Sequence, residues 1–152
     1  MFQTRFISKC PQIGYGPEDT NFILELTFNY DVSSYEIGND YAGIVVESTK
    51  LFEKLKSEGK LLNDNLLRLR DPDGYPVQLV RGDSNKVIRI ELNVEKIEAS
   101  LKYWHSTLGM KQVAKKDKHV DLVFKDGQVP LRLVESGVKI DHKTGKAGNR
   151  FH

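Results

Sequence analysis

Val87-Ile-Arg-Ile-Glu-Leu-Asn-Val94 runs directly into Glu95-Lys-Ile-Glu-Ala-Ser-Leu-Lys-Tyr-Trp-His-Ser-Thr-Leu-Gly-Met110. The first stretch alternates: Ile88, Ile90, Leu92 and Val94 point one way, and Val87, Arg89, Glu91 and Asn93 the other. Period two is a strand with one face in a core. From Glu95 the spacing changes to steps of four, three and four through Ile97, Leu101, Trp104 and Leu108, which predicts a helix over 95–108. Gly109 stops it, and Trp104 is expected to pack in the core. Strands around Met110–Val113 and Val120–Phe124 follow, then an Asp126-Gly127 hairpin turn and a last strand, Val129–Val134.

The same order occurs about fifty residues upstream. Gly43–Glu47 reads as a strand, and Ser48 as the N-cap of a helix reaching about Glu58 with Leu51, Phe52 and Leu55 on one stripe. Gly59 is expected in the left-handed position after that helix and answers Gly109. Leu66–Arg70, the turn Asp71-Pro-Asp-Gly74 and Pro76–Val80 complete the unit, with DGYPVQLV answering DGQVPLRLV. Further upstream, Phe22–Tyr30 alternates: Phe22, Leu24, Leu26, Phe28 and Tyr30 are assigned to a core, with Glu25 on the polar face. Past Gly137 the polar, Lys/Gly-rich tail reads as unpaired. The fold class is therefore α+β, two βαβββ units with helices on one side of antiparallel-rich sheets.

Composition narrows the partners. Charged residues make up 29% of the chain with a net charge of only +2, without the basic stripe of a nucleic-acid binder. Lys115-Lys-Asp-Lys118 reads as a solvated loop. Cys10 stands alone, so no intrachain disulfide forms. The apolar runs are too short for a membrane helix. A cytoplasmic protein is expected, the short basic N-terminus leaving a mitochondrial address open. His105, His119, His142 and His152 show no ligand spacing, His105 is expected to face outward, and Gly14-Tyr-Gly16 lacks the context of a phosphate loop.

Several phrases resemble one family. Glu98-Ala-Ser-Leu-Lys-Tyr-Trp-His-Ser-Thr-Leu-Gly-Met110 resembles the helix that opens a glyoxalase or bleomycin-resistance module. Asp71-Pro-Asp-Gly-Tyr75 resembles its last hairpin, and Leu24-Glu-Leu-Thr-Phe-Asn29 a strand of glyoxalase I. Gly38-Asn-Asp40 before Gly43-Ile-Val resembles a module opening, and Gly14-Tyr-Gly-Pro-Glu-Asp19 and Glu36-Ile-Gly-Asn-Asp40 are similar to a multi-module member. The resemblance implies βαβββ vicinal-oxygen-chelate modules. Residues 1–35 match the C-terminal strands of an incomplete first module, 36–83 and 84–137 two complete modules, and 138–152 a tail leading to a missing one. Incomplete modules with open strand edges imply self-association.

In this family paired modules each supply His, Gln or Glu ligands, from first and last strands, to a divalent metal such as Zn or Ni. By that resemblance Glu25 matches a ligand glutamate and is the candidate catalytic and metal residue. Tyr41 stands where a histidine is usual, and Gln78 where the catalytic glutamate is usual; a neutral tyrosine is a poor ligand and an amide cannot act as a base. Arg89 and Arg132 occupy the first- and last-strand ligand positions of the following module. Two cations cannot hold a metal, but together they suit a carboxylate or phosphate; the alternative is separate ion pairs with neighbours such as Glu91. Three readings stay open. One is a small anionic or glutathione-conjugated ligand bound by Arg89, Arg132, Tyr41 and Gln78, with the metal site degraded. The second is an active lactoylglutathione lyase in methylglyoxal detoxification. The third is a non-catalytic structural module.

Overall fold

The structure, a computed structural model, describes residues 3–7, 10–14, 16–17, 21–27, 29–30, 32–143 and 145–147. Two compact units form, Met1–Glu36 with Lys143–His152, and Ile37–His142.

In the first unit β1 (Gln3–Ile7), β2 (Cys10–Gly14) and β3 (Ile23–Glu25) make a three-stranded antiparallel sheet. A fourth strand, β4 (Val32–Tyr35), pairs separately with a strand from the tail, Gly145–Ala147. The tail read as unpaired is thus partly paired, because its partner lies more than a hundred residues upstream and local sequence carries no trace of it. The Phe22–Tyr30 strand is also shorter than its alternation predicts. Leu24, Leu26 and Tyr30 are exposed, since this unit has no helix of its own among the described residues; Phe28 lies outside the described residues. Tyr15 and His152 lie outside them as well.

The second unit carries the repeat. The upstream βαβββ comprises β5 (Tyr41–Glu47), α1 (Thr49–Leu55), β6 (Lys60–Asn63), β7 (Leu66–Arg70) and β8 (Pro76–Val80). The downstream one comprises β9 (Lys86–Val94), α2 (Ile97–Leu101) with a π-helical turn over Lys102–Thr107, β10 (Lys111–Lys116), β11 (His119–Val123) and β12 (Leu131–Glu135). The tail strand is β13. The eight strands form one sheet in the order β10-β11-β12-β9-β5-β8-β7-β6. Each βαβββ repeat closes by pairing its first strand parallel to its last, and the two repeats join through the antiparallel β5–β9 seam.

Both helices lie on one face. Phe52 of α1 packs on Leu67 and Leu79, and Ile97 and Leu101 of α2 on Met110, Val120, Leu122 and Leu133. Ser48 caps α1, its hydroxyl oxygen accepting from the Leu51 amide at 3.2 Å, but Leu51 itself is exposed. Gly109 has a φ of +77°, as a helix stop requires. Gly59 does not enter the left-handed region. It is glycine for space: a Cβ there would lie 2.6 Å from Leu69 Cδ2 and 2.7 Å from the Arg68 carbonyl oxygen.

The 95–108 helix is not uniform. After Leu101 the backbone widens, and the Leu108 amide reaches back to the Tyr103 carbonyl at 2.9 Å. A wider turn rotates later residues off the 3.6-residue stripe. Trp104 still packs against the core, whereas Leu108 emerges at the surface. Lys115 and Lys116 belong to the edge strand β10, not to a loop; lysines on an open edge disfavour pairing with another sheet. Among the described residues no helix is long and apolar enough to cross a membrane.

Candidate functional site

The face opposite the helices gathers the polar residues. Register aligns Asp121, Arg132, Glu91 and Gly43 in one row across β11, β12, β9 and β5. The next row holds Arg89, Val45, Gln78 and Arg68 across β9, β5, β8 and β7. Arg89 and Glu91 are two residues apart on one strand, so both rows share a face.

Glu91 is the hub of this face. Its carboxylate accepts from Arg89 Nε at 2.6 Å and from Gln78 Nε2 at 2.8 Å, and Arg132 Nη1 stands 4.0 Å away. Arg132 in turn grips both oxygens of Asp121 through Nε and Nη2, at 2.6 and 2.7 Å. Gln78, Glu91 and Asp121 are all buried. Asp121, through these hydrogen bonds, makes Arg132 hold its proton more tightly than usual. A buried carboxylate among cations is the arrangement in which charge burial is compensated.

The structure regroups the predicted residues. Gln78 stands with Arg89 and Arg132, because β8 reaches β9 across a single strand, β5. Tyr41 lies on β5 edge-on to Tyr75, ring centroids 6.1 Å apart, and hydrogen-bonds to none of these side chains. Burial, then the nearby Asp71 carboxylate, raises the pKa of its phenol. Glu25 belongs to the other unit, where it is exposed on β3. His105 is exposed, with Nδ1 2.5 Å from the Met110 carbonyl oxygen, and among the described residues no three His, Cys, Asp or Glu side chains converge.

Sequence reading treated Glu91 only as a neighbour and missed Asp121. The missed signal was the alternation of His119-Val-Asp-Leu-Val123, which sets His119 and Asp121 opposite the core residues Val120 and Leu122. His119 sits on the same face with its pKa lowered, first by burial and then by Arg132, against the opposing pull of Asp121. A histidine that resists protonation in the fold takes up its proton more readily once unfolded, near pH 6.5. Its contribution to stability is therefore present above that pH and is lost as pH falls toward the lowered folded value. Urea midpoints measured from pH 7.5 to 5.5 are expected to decline less for His119→Gln than for the native chain; parallel declines would refute the assignment.

This sheet, two βαβββ units joined through their first strands with helices on one face and polar residues on the other, defines a class. Its fold is that of the glyoxalase and bleomycin-resistance, or vicinal-oxygen-chelate, superfamily, to whose members the chain is similar. Within it, the family model described as glyoxalase domain-containing protein 4-like, C-terminal domain, matches residues 96–149. Glyoxalase 1 of Caenorhabditis briggsae is 46% identical over 135 residues, covering 88% of this chain and 48% of that protein. Glyoxalase domain-containing protein 4 of Mus musculus is 31% identical over 138 residues, covering 86% of this chain and 46% of that protein. The crystal structure of glyoxalase I from Zea mays superposes with a TM-score of 0.72 at 28% identity, covering 90% of this chain and 57% of that one. The chain thus spans about half the length of these curated relatives.

Proposed function

We propose that the helix-free face of the eight-stranded sheet binds a small anionic or glutathione-conjugated ligand without a metal. One observation carries the reading. Arg89 spends only its Nε on Glu91, and among the described residues its two terminal amino groups donate to nothing, although the side chain is only 21% exposed. A guanidinium with free paired N–H groups is matched by a carboxylate or phosphate. Arg68 and Lys116, exposed on the same face by register, add positive potential.

The metal implied by the family does not fit the donor set here. Both Glu91 oxygens are taken, by Arg89 and Gln78, and both Asp121 oxygens by Arg132. A divalent cation would have to displace guanidinium groups from these carboxylates and then sit beside them, which Coulomb repulsion opposes. No catalytic step is therefore assigned to these residues.

The test is a thermal-shift titration of the 152-residue chain with S-alkyl glutathiones and inorganic phosphate at low and moderate salt. Stabilisation that weakens with salt and is lost in Arg89→Ala is expected. No shift, or an equal shift in the variant, would overturn the reading. Lactoylglutathione lyase activity is the second reading, favoured by Glu25, a solvent-exposed carboxylate on β3. Near-stoichiometric Zn or Ni in purified protein, abolished by Glu25→Ala, would establish it over the first. The exposed Leu24, Leu26 and Tyr30 support self-association through the first unit, for which sedimentation velocity is the check.

A further inference from the structure

A second concave site lies on the helix side of the sheet. Leu92 follows Glu91 on β9 and so points to the opposite face. There, with Ala99, Trp104 and Ile140, it lines a cavity of about 440 Å³. That size falls within the range of small-molecule pockets, roughly 300–1,000 Å³.

One wall of the cavity is the segment after β12, which is pinned in place. The Asn39 side chain donates to the Lys139 carbonyl at 3.0 Å and accepts from the Asp141 amide at 2.7 Å. The Ile140 amide donates to Glu95 Oε1 at 2.9 Å, and His142 Nδ1 meets Asp40 Oδ2 at 2.6 Å. These bonds hold the segment carrying Ile140 in place at the cavity.

Charge sets the ligand class. Asp40 and Glu95 bring two carboxylates to the cavity, and Lys96 brings an ammonium. Asp40 stays ionised to lower pH than an ordinary aspartate, chiefly through its hydrogen bond with His142. An indole and two carboxylates lining one cavity favour an organic cation.

We propose that this cavity binds a small organic ammonium ion, its aromatic or alkyl body against Trp104 and its charge toward Asp40 and Glu95. The site is separate from the Arg89 face and independent of the function proposed there.

Trp104 is the single tryptophan of the chain, so its emission reports this cavity directly. The probes are phenethylammonium and its anionic counterpart 3-phenylpropionate, titrated into the full chain at fixed ionic strength. A saturable change with the cation, about tenfold weaker with the anion, is expected. Ala99→Phe fills the cavity and should abolish the response, while Phe124→Ala, at an exposed position outside the cavity, should leave it intact. Glu95→Gln keeps an acceptor for the Ile140 amide but removes the charge. It should weaken the cation severalfold even if the filled variant does not fold. Absence of a saturable change, equal binding of both probes, or an unchanged cation affinity in Glu95→Gln would overturn the proposal.

Discussion

Replacing Glu91 with alanine is expected to destabilise the second unit by about 3–5 kcal/mol, the usual cost of removing one partner from a buried ion pair. The loss arises less from the Coulomb attraction than from what is left behind. Arg89 would lose its recorded anionic partner, Gln78 would lose the acceptor at 2.8 Å, and Arg132 would keep only Asp121. At roughly 2–4 °C per kcal/mol for a chain of this size, the midpoint should fall by about 6–20 °C. Trp104 lies in the affected unit, so its emission follows that transition without contribution from the first unit. The double variant Glu91→Ala with Arg89→Ala should recover part of the loss, because it removes a cation along with its counter-charge. A single-variant loss below about 1 kcal/mol would show these charges to be hydrated, and the compensated-network account would fail.

Phe52→Ala is expected to cost a similar amount, about 3–5 kcal/mol, for a different reason. Phe52 has no exposed surface and anchors α1 on Leu67 and Leu79, with the Arg81 guanidinium 4.2 Å above its ring. Truncation removes the transfer free energy of the ring and leaves a cavity that a sheet on one side and a helix on the other cannot close. Phe124, 54% exposed, supplies the control: its alanine variant should stay within about 0.5 kcal/mol. The measurement also tests how the two halves are joined. Phe52 lies in the β5–β8 half and Trp104 in the β9–β12 half, and the β5–β9 ladder connects them. If the sheet unfolds as one, Trp104 emission and far-ultraviolet circular dichroism should show the same shifted midpoint. A Trp104 transition unmoved by Phe52→Ala would mean that the two βαβββ halves unfold separately.

The sequence by itself determined the repeating architecture. Alternation over Val87–Val94, the Ser48 cap, the Asp71-Pro-Asp-Gly74 turn and Gly109 are local signals, and local backbone physics obeyed them. It also placed Arg89 and Arg132 on one face, because a strand's alternation dictates side without knowledge of neighbours. Tertiary structure decided which strands stand side by side, and with them the site. Gln78 and Glu91 lie on different βαβββ units, and only the β5–β9 seam brings them to 2.8 Å. Strand order is a long-range choice that no window of residues encodes. The same holds for Ile140 and His142, which read as tail yet wall a cavity, and for β13, which finds β4 across the length of the chain. Leu24 and Leu26 mark the converse limit: alternation assigned them a buried face, but burial needs a covering layer, and their own unit has no helix among its described residues.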